Sequence, residues 1–323
     1  MTTDLATAGQ VVNLLRQIPV WVRRFSVTPQ EALAGYRIDG DLLRELTELG
    51  LPHVLDGDVP LFDGYDLTNL SLYLRLRSPQ RAAMRYWANV LTRTAGERRE
   101  YQLDYLAACP VPGHLGECEF LCCLPGCAEA VARPRGDGAG PLSSAVVTLH
   151  NDWPPLPPPL ADAIEEIAHI RFFRLPDALK TDLGFMFDAK IGDCLGIARY
   201  LAEEGARRGL RTRAVFGLIV APPYATPHFW AEVAMDGRWV PADPGLIQGM
   251  VSWGVLPPGW PPDRSPGAFL VPVTHRHGFA VSHRGVSAAV SFRTRVPPAR
   301  EQPWNSASST SPTMAMPKAT GTA

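Results

Sequence analysis

The segment HFWAEVAMDGRWVPADP, residues 228–244, decides how this chain is read. His228–Met235 alternates as a strand does, and Asp236-Gly237 is the two-residue signal of a type I′ hairpin. Arg238–Ala242 is then the returning strand, stopped at Asp243-Pro244. With the turn at 236–237, Met235 faces Arg238, and counting back sets Trp230 opposite Asp243. Residues directly opposite share a face, and so do residues two apart on one strand, so His228 and Asp243 are diagonal neighbours on one face. Their Cα atoms should lie about 7–8 Å apart, within reach of an imidazole–carboxylate hydrogen bond. Pro241 falls at a position where its missing N–H costs no bond to the partner strand.

Upstream, Thr212–Val220 reads as a strand, joined to the hairpin by a proline-rich loop over Ala221–Pro227. Before it stands IGDCLGIARYLAEEGARRG, residues 191–209. Asp193 is a good helix cap, Leu195, Ala198, Leu201 and Ala202 form an apolar stripe, and Gly209 stops the helix. Glu203, Glu204, Arg207 and Arg208 are expected to face outward. Cys194 sits in the first turn, where unpaired N–H groups and the helix dipole favour a thiolate, the reactive form. The neighbouring Asp193 carboxylate works against a thiolate, so a histidine partner matters. The roles follow: Cys194 attacks a carbonyl, His228 moves the proton, and Asp243 fixes the imidazole tautomer and stabilises its charged form. The Cys194 N–H is a candidate oxyanion donor.

Gly192-Asp193-Cys194, His228-Phe229-Trp230-Ala231-Glu232 and Trp239-Val240-Pro241-Ala242-Asp243-Pro244 together resemble the transglutaminase-like superfamily, with its G-x-C helix start, H-x-W-x-E strand and W-V-x-x-D-P return. The resemblance spans roughly residues 160–246. It implies an α+β, papain-like core in which the cysteine-bearing helix packs on an antiparallel sheet carrying the histidine and aspartate. It also implies thioester chemistry on an amide or thioester carbonyl. Leu195 follows the cysteine where animal cross-linking enzymes carry tryptophan, and neither a calcium-site pattern nor flanking immunoglobulin-like domains are evident. The R-G-G-x-C signature of arylamine acetyltransferases is absent. These departures point away from protein cross-linking; the triad on a chain without an export signal, together with a large N-terminal region, leads to the expectation of an amide-forming acyltransferase, such as a bacterial natural-product member. The competing readings are a cysteine peptidase or amidase using water as acceptor, and an inactive fold kept as a binding module. The substrate would be a small-molecule, peptide or carrier-bound acyl group, and the acceptor an amine or water.

Outward from this core, NDWPPLPPP (residues 151–159) marks a boundary, because clustered prolines favour extended chain. Residues 1–150 read as a mixed helical and strand region for substrate or carrier recognition, residues 151–296 as the catalytic domain, and residues 297–323 as a disordered tail. Helices are expected over Val11–Phe25, over Asp41–Leu49 behind an Asp39 cap, over Gln80–Thr94 behind Ser78-Pro79, and over Leu160–Phe173. Strands are expected at Glu119–Leu124, Ala145–Leu149, Phe269–Val273 and Ser287–Thr294.

A formal net charge of −1 provides no general attraction to nucleic acid or to an acidic membrane. Met1–Gln10 has no secretory n-region, and the apolar stretch 214–225 is too short to span a bilayer, so a cytoplasmic protein is expected. Five of its six cysteines cluster at Cys109, Cys118, Cys122, Cys123 and Cys127, near His114. Their spacing lacks a paired C-x-x-C, so small buried thiols are favoured over zinc, and neither metal nor cofactor is assigned. Asp56, Asp58, Asp63 and Asp66 read as turn residues rather than a calcium loop. His275, Arg276, His277 and His283 read as surface or loop positions.

Overall fold

The hairpin read from residues 228–242 lies in the middle of the main sheet. The computed structural model describes residues 5–93, 98–111, 114, 117–133, 141–150, 152–275 and 278–297; the expected tail from 298 onward, Arg276 and His277 lie outside them. In chain order the first part runs through α1 (Leu5–Leu15), β1 (Phe25–Val27), α2 (Pro29–Glu31), α3 (Gly40–Glu48), β2 (His53–Asp56), β3 (Val59–Asp63), α4 (Gly64–Tyr73) and α5 (Pro79–Arg93). It continues with β4 (Arg98–Ala107), β5 (Phe120–Leu124), β6 (Ala128–Ala132) and β7 (Ser143–His150). The motif-bearing part comprises α6 (Pro158–Glu166), β8 (Arg171–Phe172), α7 (Leu183–Ala189), β9 (Ile191–Gly192), α8 (Cys194–Arg207), β10 (Thr212–Ile219), β11 (Tyr224–Met235), β12 (Arg238–Ala242) and α9 (Pro244–Ser252). β13 (Leu270–Thr274), β14 (Val281–His283), β15 (Val286–Ser287) and β16 (Val290–Arg295) follow.

The main sheet has the order β13-β10-β11-β16-β4-β7, with β12 beside the C-terminal half of β11. Its neighbours are antiparallel throughout. It takes strands from both sides of residue 150. The fold is α+β, with helices against an antiparallel sheet, as the sequence implied. The hairpin register is the one counted above: Met235 pairs with Arg238 and Ala231 with Ala242. Asp236 and Gly237 have φ of 49° and 75°, the left-handed pair that a type I′ turn requires. Helix α8 lays Ile197, Ala198 and Leu201 on β10 and β11. Glu204, expected to face outward, is instead buried and is bonded by the Arg208 guanidinium at 2.7 Å, which also reaches Glu166 at 2.7 Å. Desolvating this carboxylate is tolerable because its charge is paired.

Several boundaries differ from expectation: the first helix begins at Leu5 rather than Val11, the strand expected over Ser287–Thr294 is broken into β15 and β16, and three further differences have a local cause. The first helix ends at Leu15 rather than Phe25, because Pro19 disfavours helical backbone before it. The helix expected to reach Phe173 ends at Glu166, and Arg171-Phe172 instead pairs in parallel with Ile191-Gly192. β11 begins at Tyr224, so the proline-rich loop shrinks and Pro227 lies in the ladder opposite Leu218. Pro227 falls between the stretches of β11 paired with β16 (224–225) and with β12 (231–235), where one strand edge has no ladder bond to lose.

The acidic residues near 60 are not all turn residues. Asp63 caps α4 by accepting from the Tyr65 and Asp66 N–H groups, and Asp66 is buried against Arg23 at 2.8 Å. His283 is not a surface residue either: it is buried at the end of β14, opposite Phe120 of β5. Sequence periodicity could not show this, because β14 is only three residues long. Among the described residues no helix is long and apolar enough to cross a membrane.

Candidate active site

Three local devices set out the site. Asp193 caps α8, accepting from the Leu195 N–H at 2.9 Å and the Gly196 N–H at 3.2 Å, which fixes Cys194 as the first helical residue. The Cys194 N–H is one of the first-turn donors that no helical carbonyl can satisfy. Gly192 precedes it because a Cβ there would stand 2.9 Å from Met186, so the approach of β9 to α7 requires glycine.

His228 lies on β11 opposite Gly217 of β10, stacked on Trp230 with ring centroids 6.3 Å apart and planes at 22°. Its Nε2 is 2.5 Å from Asp243 Oδ2, with both side chains buried. The other ring nitrogen, Nδ1, is left free of Asp243, and Cys194 lines the same cavity wall as His228, close enough for its sulfur to act on the charge of the ring. The diagonal pairing inferred from the hairpin is thus present, and α8 brings Cys194 to the same imidazole. Asp243 also serves the backbone. It is the cap of α9, its Oδ1 accepting from the Leu246 N–H at 3.1 Å, with Pro244 as the first helical residue. Asp-Pro before an apolar run is a helix-start signature, so this second duty could have been read from the sequence.

Electrostatics follow from burial and pairing. Burial pulls the His228 pKa down, but the Asp243 carboxylate bonded to it and the nearby Cys194 sulfur outweigh that and raise it to about 10. The ring is therefore an imidazolium at neutral pH, the partner that stabilises a thiolate. Asp193 moves the other way for a carboxylate. Its burial outweighs the bonds from Gly196 and Leu195 and the attraction of Lys180, raising it to about 6.

Cys194 and His228 open on a cavity of about 240 Å³. Its walls are largely apolar, with Phe172, Phe173, Phe229 and Trp253 prominent, and Arg174 and Lys180 supply positive charge. Tyr65, Leu72, Met84 and Trp87 close it from the N-terminal part of the chain. None of these wall residues carried a signal separating a cavity wall from ordinary core, since Met84 and Trp87 have the spacing of any apolar helix face.

Against known families, residues 176–244 match the model described as the transglutaminase-like superfamily. This segment is a transglutaminase-like core. Comparison with curated proteins and with solved structures gave no match. The match covers the cap, the cysteine helix and the His–Asp hairpin, and it places the core in a superfamily of Cys-based enzymes. The Glu232 of its H-x-W-x-E strand is accounted for locally. It is buried and receives the Arg213 guanidinium at 2.9 and 2.7 Å across β10–β11, and Arg213 stacks on Trp239 at 4.0 Å. Within the transglutaminase-like core this glutamate braces the sheet beneath the histidine.

Proposed function

We propose that the protein is a cysteine-dependent acyltransferase that carries an acyl group as a Cys194 thioester and delivers it to an amine. The observation that carries this reading is the buried imidazole bonded to Asp243 and sharing the wall of an apolar cavity with Cys194, at the start of α8. Cys194 sulfur attacks the acyl carbonyl, and its N–H is the candidate donor to the developing oxyanion. His228 gives its Nδ1 proton to the leaving group, and the thioester remains. An incoming amine loses its proton to the same nitrogen as it attacks, and the thiolate departs with the amide released. Asp243 holds Nε2 throughout and stabilises the imidazolium.

Several features support an organic acyl group and an amine acceptor. The aromatic walls fit an apolar acyl body, and water is poorly held among them. Arg174 and Lys180 suit a substrate with an anionic end. The wall contributed by residues 65–87 supports a recognition role for the N-terminal region, toward a small molecule, peptide or carrier-bound donor. A cytoplasmic setting, with reduced thiols, suits a cysteine nucleophile.

The test is to incubate the protein with small-molecule acyl thioesters bearing aromatic or branched acids, with and without primary amines. A covalent mass increment on Cys194, absent from Cys194→Ala, and amide yield rising with amine concentration are expected. Hydrolysis alone at every amine concentration would make the protein an amidase or peptidase. No increment on Cys194 with any donor would overturn the nucleophile.

A further inference from the structure

Away from the active site, four soft donors converge on one point. Cys109 follows β4, His114 and Cys118 lie in the connection to β5, and His283 ends β14, 174 residues after Cys109. One ligand atom from each lies within 4.8 Å of all the others. Cys109 Sγ is 3.4 Å from His114 Nδ1 and 4.0 Å from His283 Nε2, and His114 Nδ1 is 3.2 Å from Cys118 Sγ. Zinc bonds of about 2.0–2.1 Å to nitrogen and about 2.3 Å to sulfur give tetrahedral edges of about 3.4–3.8 Å, so the three quoted distances need adjust by about half an ångström or less, and a pair at the 4.8 Å limit by about 1 Å.

We propose that Cys109, His114, Cys118 and His283 form a structural zinc site. The donor set argues for this ion. Two sulfurs and two imidazoles in a tetrahedral array suit zinc and are poor ligands for calcium or magnesium, which take oxygen. Charge argues for it as well. On binding, both S–H bonds break, two Zn–S bonds form, and the two protons go to solvent. The two thiolates then neutralise the dication, and the neutral imidazoles donate lone pairs, so a half-buried site holds no net charge. Without an ion the same groups are left with thiol–imidazole contacts, which are weak hydrogen bonds.

The fold explains why the spacing gave so little away. The three ligands at 109, 114 and 118 form an incomplete set, and the fourth arrives only when β14 pairs with β5, placing His283 opposite Phe120. The Phe120 ring, 5.0 Å from that of His283, holds the imidazole in place. All four positions are filled by protein, so the site has no open coordination place and serves stability rather than chemistry. It clips the β4–β5 connection to the small sheet β15-β14-β5-β6. Cys122 and Cys123 are buried in β5 outside the site, and Cys127 contacts His275 at 3.8 Å on the surface.

The full-length protein, purified from zinc-supplemented cells, should carry about one zinc per chain by metal mass spectrometry. The variant Cys109→Ser/Cys118→Ser should carry at least tenfold less, and so should His283→Ala. Cys127→Ser and Cys194→Ala should keep wild-type content, which separates this site from the acyl-transfer reading. Because ligand variants can fail to fold, the wild-type protein is also stripped with a chelator and titrated with Co2+. Tetrahedral visible bands together with thiolate-to-cobalt charge transfer, displaced by one equivalent of Zn2+, are expected. Three results would each overturn the site: full zinc content in Cys109→Ser/Cys118→Ser, an octahedral cobalt spectrum, or wild-type protein that holds no zinc and takes up neither ion at micromolar concentration.

Discussion

Asp243 uses its two carboxylate oxygens for different tasks, and substitutions can separate them. Asn in its place keeps an acceptor for the Leu246 N–H but gives up the charge on His228. Asp243→Asn should therefore stay folded while kcat/KM for acyl transfer falls on the order of 10²- to 10⁴-fold, the usual worth of positioned acid–base catalysis. Asp243→Ala should in addition lose about 1 kcal/mol in denaturant unfolding, the cost of a missing helix cap. The pH profile has a sign. His228 is raised to about 10, so its imidazolium is lost only as pH rises through that value, and the alkaline limb of kcat/KM should lie there. Removing the Asp243 charge should move the limb to lower pH; a limb unmoved in Asp243→Asn would show that the carboxylate does not hold the proton on His228. Asp193 provides a second pair of tests. A carboxyl raised to about 6 on folding contributes stability that is complete below about pH 4 and lost as pH rises through 6. Asp193→Asn keeps the cap without that charge, so its stability relative to the parent should be better at pH 7 than at pH 4, by on the order of 2 kcal/mol.

Among the elements, β10 carries the tightest constraint. A Cβ on Gly217 would lie 2.3 Å from the Trp230 ring and 2.3 Å from the Val271 carbonyl oxygen, so Gly217→Ala must push apart β10, β11 and β13. Overpacking of this kind costs about 1–3 kcal/mol, and because Trp230 is the ring on which His228 stacks, activity should fall as well. A midpoint and rate equal to those of the parent would mean that the strands shift at no cost. The same element shows where sequence reasoning succeeds. The Asp236-Gly237 turn fixes a register, and the register fixes which residues share a face, so the His228–Asp243 pair could be derived by counting. Capping chemistry likewise placed Asp39, Asp193 and the start of α8. What could not be read was whatever depends on which surfaces meet. The parallel contact of β8 with β9, the burial of Glu204 and His283, and the two buried aspartates at 63 and 66 are set by partners distant in sequence, and local pattern does not encode them. The cavity wall fails for a related reason: Trp87 and Met84 look like core until the space beside them is known.

At the scale of the molecule, β16 lies between β11, which carries His228, and β4, which belongs to the first 150 residues. A chain starting at residue 151 would expose the unpaired edge of β16 and remove one wall of the cavity, and such edges template aggregation. We expect this truncation to be insoluble or inactive, and the full chain to unfold in one cooperative transition by both far-ultraviolet circular dichroism and tryptophan fluorescence. Two separated transitions would argue for independent halves. Trp87→Ala tests the shared cavity within the intact chain: KM for an aromatic acyl donor should rise several-fold with a smaller change in kcat, because the ring lines the substrate space and touches no reacting atom. A gene copy that drifted free of catalysis would still be selected to keep an oxygen acceptor at position 243, since α9 needs its cap whether or not His228 needs its partner. Among diverged copies the aspartate would outlast the cysteine, and Cys194 and His228, not Asp243, would tell a working enzyme from a folded relic.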